Sequence, residues 1–124
     1  MLLVETYVAP SGIHGLGLFA AKPIKAGEMV WRFDRRCEVT FTSEELSQLS
    51  PMFRSFVLVY SFFDKPRNVL VLSIDNARFF NHSTLPNVEA KTGRDFDVAL
   101  RDIAADEELT EDYFAFDHRE GLFA

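Results

Sequence analysis

The chain contains 124 residues, carries a formal net charge of −6 and is 48% apolar, with 13 phenylalanines. That length fits one domain, and that apolar content excludes an intrinsically disordered chain. The lone cysteine, Cys37, excludes a disulfide framework and a cysteine-rich zinc site, and it favours a cytoplasmic location.

The negative net charge and the short length of the apolar segments indicate which kinds of binding partner to expect. Direct binding to nucleic acid is disfavoured, because phosphate contacts need clustered Lys and Arg. A basic protein or peptide suits an acidic surface better. No apolar run is long enough to span a bilayer, so we expect no membrane association. A homodimer stays open, since it would cover surplus apolar surface on so small a domain.

The N-terminal part reads as short strands separated by turns. Residues 2–8 have strand composition and end at the turn residues 10–12. A glycine-rich stretch, residues 12–20, follows. Residues 29–33 and 37–41 are predicted as two further strands, joined at residues 34–36.

A helical insert is predicted over about residues 43–63. Thr42 and Glu45 have the spacing of a capping box, and Ser50 before Pro51 predicts a second helix start. Apolar residues then recur at helical spacing. They are Met52, Phe53, Phe56, Val57, Tyr60 and Phe63.

The C-terminal half returns to strand patterns. Residues 69–74 form a short apolar run typical of a buried strand. Phe96, Val98 and Leu100 alternate with other residues, which predicts a strand half exposed to water. The predicted fold class is therefore mainly β, with one helical insert, in a single domain spanning residues 1–124.

Two segments resemble each other. Residues 24–30 (IKAGEMV) and 103–109 (IAADEEL) both read as a turn, an acidic residue and a strand. A two-fold arrangement of short β elements would explain the similarity, and so would a chance match of seven residues. Both explanations stay open at this point.

The glycine-rich stretch and residues 78–83 are the candidate ligand segments. Gly15 and Gly17 allow a ligand to approach the backbone or form a plain tight turn. Pro23 and Gly27 stop the helix that a Rossmann motif requires, so a dinucleotide site is disfavoured. Asn81 offers a donor and an acceptor suited to a purine edge, although the aromatic residues around it also suit a core.

Other chemistries find little support. The sequence lacks Gly-x-Ser-x-Gly, so His82 and Ser83 do not indicate a hydrolase. His14, His82 and His118 lack a metal-ligand spacing, so no metal site is predicted. The run of residues 108–113 fits either a functional motif or a terminal strand with a solvated acidic face.

Three segments, taken in order, resemble the SET domain of S-adenosylmethionine-dependent protein-lysine methyltransferases, in particular the compact single-domain members of bacteria and viruses. The first is residues 14–20 (HGLGLFA), followed by residues 26–30 (AGEMV). The second is residues 78–83 (RFFNHS), followed by Pro86 and Asn87. The third is residues 103–113, which end in the position of the family's catalytic tyrosine, Tyr113.

The resemblance implies a β-clip-like SET fold of short sheets with a C-terminal pseudoknot that brings Tyr113 next to Asn81. It also implies S-adenosyl-L-methionine as the cofactor and lysine of a protein as the acceptor. The tail, residues 114–124, would close the site. Cofactor-binding residues would be His14, Gly15, Leu16, Gly17, Arg78, Asn81, His82 and Tyr113. Substrate-channel residues would be Phe33, Glu111 and Phe116.

The sequence departs from the family pattern at two of these positions. Phe33 lacks the hydroxyl of a frequent channel tyrosine, and Glu111 replaces a Phe or Tyr. A carboxylate at position 111 would bind a cationic lysine or face solvent. We expect Arg78 to pair with an acidic residue and brace the pseudoknot. A non-catalytic interaction module with the SET fold and a small-amine methyltransferase remain the alternatives.

Overall fold

Short strands dominate the computed structural model, which describes residues 1–91 and 93–119. The strands are β1 (Thr6–Pro10), β2 (Leu16–Ala20), β3 (Met29–Arg32), β4 (Glu38–Phe41), β5 (Ser61–Asp64), β6 (Val69–Ser73), β7 (Asn81–His82), β8 (Val88–Lys91), β9 (Phe96–Ala99) and β10 (Glu108–Glu111). The helices are α1 (Ser43–Gln48) and α2 (Pro51–Tyr60). Two 3₁₀ turns cover Asn76–Phe79 and Tyr113–Ala115.

The strands form three small sheets, with orders β1-β2-β10-β7, β3-β9-β8 and β4-β6-β5. A larger core cluster draws on all three sheets, and a second cluster packs both helices against the third sheet. No helix among the described residues has the length and apolarity to cross a membrane. The mainly β class predicted from the sequence is confirmed.

The helix starts follow their local signals. The Thr42 hydroxyl accepts from the Glu45 N–H at 3.1 Å, and the Glu45 carboxylate accepts from the Thr42 N–H at 3.0 Å. The Ser50 hydroxyl accepts from the Phe53 N–H at the start of α2. The predicted helical end at residue 63 is wrong, because residues 61–64 pair with β6 as β5. Tertiary pairing here overrides the helical spacing of the apolar residues.

Two other strand predictions need correction. The first strand covers residues 6–10 rather than 2–8, and it tolerates Pro10 because β1 lies at the edge of its sheet. In β9 the buried side chains are Asp97 and Ala99, whereas Phe96 and Val98 are half-buried. The strand is correct, but the face that points inward carries a carboxylate that the alternation of apolar residues does not reveal.

The two similar segments form matching turns that face each other. The Ile24 N–H donates to the Ile103 carbonyl at 2.9 Å, and the Ile103 N–H donates back at 2.8 Å. Gly27 and Asp106 occupy equivalent positions with φ of 81° and 69°. This reciprocal bridge confirms the two-fold arrangement. Within each turn a glutamate accepts from the N–H three residues before it, namely Glu28 from Lys25 and Glu107 from Ala104.

Gly27→Ala is expected to lower the free energy of unfolding by about 1 kcal/mol, because an L side chain is strained at a left-handed φ. A Cβ at this position meets no atom within 4 Å, so the loss is conformational rather than steric. Urea unfolding measures it. The control is Gly12→Ala, where the added Cβ also meets open space without a positive φ. Equal losses in the two variants would contradict the assignment.

Candidate active site

A parallel strand pair brings the C-terminal motif to the Asn-His segment. β7 pairs with β10 so that Asn81 lies opposite Thr110 and His82 lies opposite Glu111. β10 also pairs with β2, so it lies between the glycine-rich strand and β7. This arrangement places Tyr113, two residues after β10, beside the residues that precede and form β7.

Tyr113 is held in place by one backbone and one side-chain hydrogen bond. Its N–H donates to His82 Nδ1 at 3.1 Å, and its phenol hydroxyl donates to the carbonyl of Phe80. The His82 and Tyr113 rings lie 5.3 Å apart. Tyr113 therefore lies next to the Asn81–His82 pair, in the position that the resemblance implies.

Asn81 ties the glycine-rich loop to β7. Its buried side-chain amide donates to the carbonyls of His14 and Leu16 at 3.0 and 3.1 Å, and to Glu108 Oε2 at 2.9 Å. Three acceptors converge on one amide nitrogen, so the position requires a donor. Asn81 sets the path of residues 14–16 and leaves their backbone along one wall of a cavity.

This first cavity has a volume of about 570 Å³. Its walls come from the loop before β2, the end of α2, the segment around β7 and Tyr113. Seven of the eight residues expected to bind a cofactor line it. They are His14, Gly15, Leu16, Arg78, Asn81, His82 and Tyr113.

Gly17 is the expected cofactor residue that does not line the cavity. A Cβ at Gly17 would lie 2.4 Å from Glu108 Oε2 and 3.1 Å from the Ser11 Cβ. The Ser11 hydroxyl and the Asn81 amide both donate to that carboxylate. Glycine is therefore required at position 17 because the Glu108 side chain lies where a Cβ would be, and its contact with the cofactor through the backbone stays a prediction.

Arg78 lines the cavity, but its expected acidic partner is replaced. Within the described residues, its guanidinium bonds to the carbonyls of Ile74 and Asp75 and lies 4.5 Å from the centroid of the Phe79 ring. Its charge is therefore held by backbone and ring contacts rather than by a carboxylate.

A second cavity, of about 690 Å³, adjoins the first and shares part of its lining. Phe62, Phe116 and Phe114 contribute aromatic rings to it, and Arg94 contributes a guanidinium. Residues that line both cavities form a shared wall. They are Val59, Tyr60, Arg78, Phe80, His82 and Tyr113.

The phenol of Tyr113 remains protonated near neutral pH. Its half-buried position raises its pKa to about 12, chiefly because burial disfavours the phenolate. The hydroxyl is therefore a hydrogen-bond donor at the shared wall, and near neutral pH it is not a phenolate that could act as a base.

Phe116 enters the wall of the second cavity from the tail. Its buried ring packs edge-on against Phe62 at 5.4 Å and lies 5.9 Å from the Tyr113 ring. Among the described residues, Phe116 is therefore a residue through which the tail lines the second cavity. Residues 120–124 of the predicted tail lie outside the described residues.

Three residues after Phe116 fasten the tail; we refer to residues 117–119 as the tail latch. The Asp117 carboxylate accepts from the Phe63 N–H at 2.9 Å, and the His118 N–H donates to the Phe63 carbonyl at 3.2 Å. Arg119 donates to the carbonyls of Leu58 and Ser61. The latch holds the end of α2 and the edge of β5, and thereby fixes Phe116 in the cavity wall.

Phe33 does not line either cavity. The guanidinium of Arg67 covers its ring at 3.9 Å and is itself held by Asp64 and Asp95. This ion-paired cover removes Phe33 from the channel in which the resemblance places it, so that expectation is corrected.

Glu111 neither lines the cavity nor faces solvent. Its side chain is 1% exposed, and its Oε2 lies 3.1 Å from Arg94. Arg94 also donates to Asp97 at 3.3 Å. Burial raises the pKa of Glu111 well above its ordinary range; Arg94 opposes this shift and Asp97 adds to it. Both alternatives for position 111 are therefore corrected.

Arg94 and Asp97 are site residues that the sequence analysis missed. Arg94 lies in the turn between β8 and β9 and reaches the second cavity, while Asp97 faces inward from β9. The apolar alternation of Phe96, Val98 and Leu100 put Asp97 on the outward face of the predicted strand, so the sequence carried no signal for this pair. In the described ranges, no three His, Cys, Asp or Glu side chains are placed to hold a metal ion.

Glu111→Gln is expected to become more stabilising relative to the parent as pH rises. A carboxyl group whose pKa is higher in the folded protein than in the unfolded chain stabilises the fold at pH values below its unfolded pKa. That stabilisation is lost as pH rises from the unfolded pKa toward the folded pKa. Glutamine cannot ionise, so the variant avoids that loss. The difference in unfolding free energy is expected to grow by on the order of 1 kcal/mol per pH unit above the ordinary glutamate pKa. Urea unfolding across pH measures it.

Glu45→Gln provides the control of opposite sign. A backbone hydrogen bond from Thr42 lowers the pKa of Glu45, so its contribution is present above the ordinary value and lost in acid. This variant is expected to become relatively less stable as pH rises. Parallel trends in the two variants would show that Glu111 is not held in its neutral form.

The comparisons with known proteins agree with this geometry. A family model described as SET domain matches residues 15–114. Two curated relatives are H3 lysine-4 specific histone-lysine N-methyltransferases, from Aspergillus fumigatus and Neurospora crassa. They are 34% identical to this chain over 117 and 113 residues, respectively. Each match covers 85% of this chain, which spans only 9% and 8% of those proteins.

Solved structures show the same fold. A chain from the Chaetomium thermophilum Polycomb Repressive Complex 2, in a humanized mutant bound to the inhibitor GSK126, aligns with a TM-score of 0.68 and 23% identity over 93% of this chain and 15% of that one. A Plasmodium falciparum chain aligns with a TM-score of 0.63 and 21% identity over 90% of this chain and 95% of its own length. The family match, the curated relatives and the shared fold lead to one conclusion: this chain belongs to the SET-domain family.

Proposed function

We propose that this domain transfers a methyl group from S-adenosyl-L-methionine to the side-chain amine of lysine in a protein. The observation that carries the proposal is the shared wall, in which Tyr113 and His82 line both cavities. A donor bound in the first cavity and an amine in the second would meet at this wall. Family membership and the names of the curated relatives support the same reaction.

The first cavity fits the cofactor in size and in chemistry. Its volume of about 570 Å³ lies within the range of small-molecule sites. The guanidinium of Arg78 suits a carboxylate, and the Tyr60 and Phe79 rings suit a planar base. His82 and the backbone of residues 14–16 complete the lining. When bound, the cofactor supplies an electrophilic methyl carbon on a sulfonium, and the carbon–sulfur bond breaks with its electron pair retained by sulfur.

The second cavity prepares the amine. A free lysine amine is protonated at neutral pH, because its pKa is about 10.4. An apolar wall that includes Phe62 and Phe116 disfavours the ammonium form and lowers that pKa by desolvation. The Tyr113 hydroxyl orients the amine so that its lone pair forms the new carbon–nitrogen bond, while one N–H proton passes to water. The protein contributes alignment and exclusion of water rather than a base.

We infer that the acceptor lies in a basic protein segment. The chain has a net charge of −6, which attracts cationic segments. The two curated relatives are named for histone H3 lysine-4, and histone tails supply lysines in basic surroundings. Core histones are therefore the first acceptors to test.

Calorimetry and label transfer test the proposal together. S-adenosyl-L-methionine titrated into the protein is expected to bind with a 1:1 stoichiometry. Cofactor carrying a labelled methyl group is then incubated with core histones and with fractionated host-cell lysate. Mass spectrometry is expected to find the label on lysine side chains of proteins.

The alternatives give different results in the same assays. Binding without transfer to any protein fraction would indicate a non-catalytic module that retains the cofactor cavity. Label that appears only in the small-molecule fraction would indicate a small-amine methyltransferase. Either outcome would overturn the proposed activity.

A further inference from the structure

A buried guanidinium fills an aromatic cage beside the second cavity. Arg94 is 5% exposed. It lies in a turn with a backbone φ of 83°, which residues other than glycine rarely adopt. Four rings surround its Cζ; we call this set the Arg94 cage. The ring centroids lie at 4.0 Å for Phe116, 4.4 Å for Phe62, 4.8 Å for Trp31 and 5.9 Å for Phe80.

Two carboxyl groups fix the guanidinium in this cage. Arg94 Nε donates to Asp97 Oδ2 at 3.3 Å, and a terminal nitrogen lies 3.1 Å from Glu111 Oε2. Both partners are buried in the core. Moving Arg94 out of the cage would leave the buried Asp97 carboxylate without its cation in a low-dielectric interior, which is strongly unfavourable. This ion pair therefore keeps the guanidinium in the cage.

The Arg94 cage opens toward the proposed acceptor side. Arg94, Phe62, Phe80 and Phe116 all line the second cavity, together with Tyr113. Aromatic faces attract organic cations, including methylated ammonium groups. In this protein those faces are already engaged by a side chain of the same molecule.

We propose that Arg94 acts as a resident cation that limits each acceptor lysine to one added methyl group. The inference rests on the proposed function. In each transfer the amine lone pair forms the new carbon–nitrogen bond, the carbon–sulfur bond breaks with its electrons on sulfur, and one N–H proton leaves to water. A second transfer needs aromatic surface for a methyl already on nitrogen. The Arg94 guanidinium already covers the faces of Phe62, Phe80 and Phe116 in that cavity.

The parent protein gives the first test. With core histones as acceptor and excess cofactor, mass spectrometry is expected to find monomethyl-lysine only, even after prolonged incubation. A matched peptide pair, unmodified and monomethylated at H3 lysine-4, is expected to show transfer at least about tenfold faster to the unmodified member. Di- or trimethyl-lysine made by the parent would overturn the proposal.

A pair of variants tests the cage without any transfer. Asp97→Asn retains the Arg94 cation, which still has Glu111 as partner. The double variant Arg94→Ala/Asp97→Asn removes the guanidinium and the carboxylate of this ion pair together. It therefore leaves no Asp97 carboxylate buried without a cation. Tetramethylammonium chloride is the probe, and fluorescence of Trp31, the single tryptophan of the chain, is the readout.

The double variant is expected to show a saturable change in Trp31 fluorescence, with affinity at least about tenfold higher than that of Asp97→Asn or the parent. Choline chloride serves as a second organic cation and sodium chloride as the ionic-strength control. Tetramethylammonium binding to the parent, or a folded double variant that does not bind it, would overturn the cage assignment. If the double variant does not fold, the product distribution of the parent decides.

The two proposals fail in distinguishable ways. A parent that transfers to no acceptor refutes the proposed function, while the tetramethylammonium titration still judges whether Arg94 excludes a cation from the cage. A parent that transfers freely and produces trimethyl-lysine supports the proposed function and refutes the role of Arg94.

Discussion

Tyr113→Phe is expected to lower kcat for methyl transfer about 100-fold, while affinity for S-adenosyl-L-methionine changes by less than about threefold. The lost hydroxyl donates to the Phe80 carbonyl at the wall between the two cavities. Without it the ring and the amine that it orients lose their fixed position, and small misplacements in an aligned reaction have effects of this size. Single-turnover transfer to core histones and calorimetry with the cofactor measure the two quantities.

The matched control is Tyr7→Phe. That hydroxyl donates to Asp106 at 2.8 Å on the outer strand β1, and its ring stacks on Phe19, outside both cavities. Its removal is expected to leave kcat within about twofold of the parent. A Tyr113→Phe protein that transfers methyl groups at the parental rate would refute the assignment of Tyr113 as catalytic residue.

Asn81→Asp is expected to lower the free energy of unfolding by about 3 kcal/mol or more and to abolish cofactor binding. The substitution preserves shape but replaces a donor by a carboxylate that faces two carbonyls and Glu108. A buried charge without a compensating partner has an effect of this magnitude. Urea unfolding and cofactor calorimetry measure the two losses.

A second substitution, at Glu108, tests whether the contact between positions 81 and 108 causes this loss. In Asn81→Asp/Glu108→Gln, the new amide at position 108 can donate to the carboxylate at position 81, while the carbonyls of His14 and Leu16 still oppose it. The double variant is expected to recover at least about 1 kcal/mol over Asn81→Asp. The single variants Asn81→Asp and Glu108→Gln complete the cycle. A loss of stability in the double variant equal to the sum of their two losses would show that positions 81 and 108 are not coupled.

The sequence revealed the features that depend on local signals or on a family motif. The caps at Thr42 and Ser50 are formed within four residues, so their hydrogen bonds follow directly from residue type. The two matching turns were visible as similar segments. Asn81, His82 and Tyr113 were brought together through the resemblance, because no local pattern predicts the parallel pairing of β7 with β10.

Other site features depend on contacts between distant residues. Glu111 is buried because Arg94 reaches it from a turn in another sheet, and neither residue alone indicates the other. Gly17 was assigned to the cofactor through the resemblance, and no local pattern shows that the Glu108 side chain lies where a Cβ of residue 17 would be. Periodicity in β9 gave the strand but inverted its faces, since the inward position carries Asp97 as the partner of Arg94.

The tail latch has a consequence for solubility as well as for the site. β5 is the outer strand of its sheet, and unpaired groups on outer strands invite strand addition from other molecules and thus aggregation. Asp117 and His118 occupy the N–H and carbonyl of Phe63 on that strand. Damage to the latch is therefore expected to free the outer edge of β5 at Phe63 and to promote self-association of the protein.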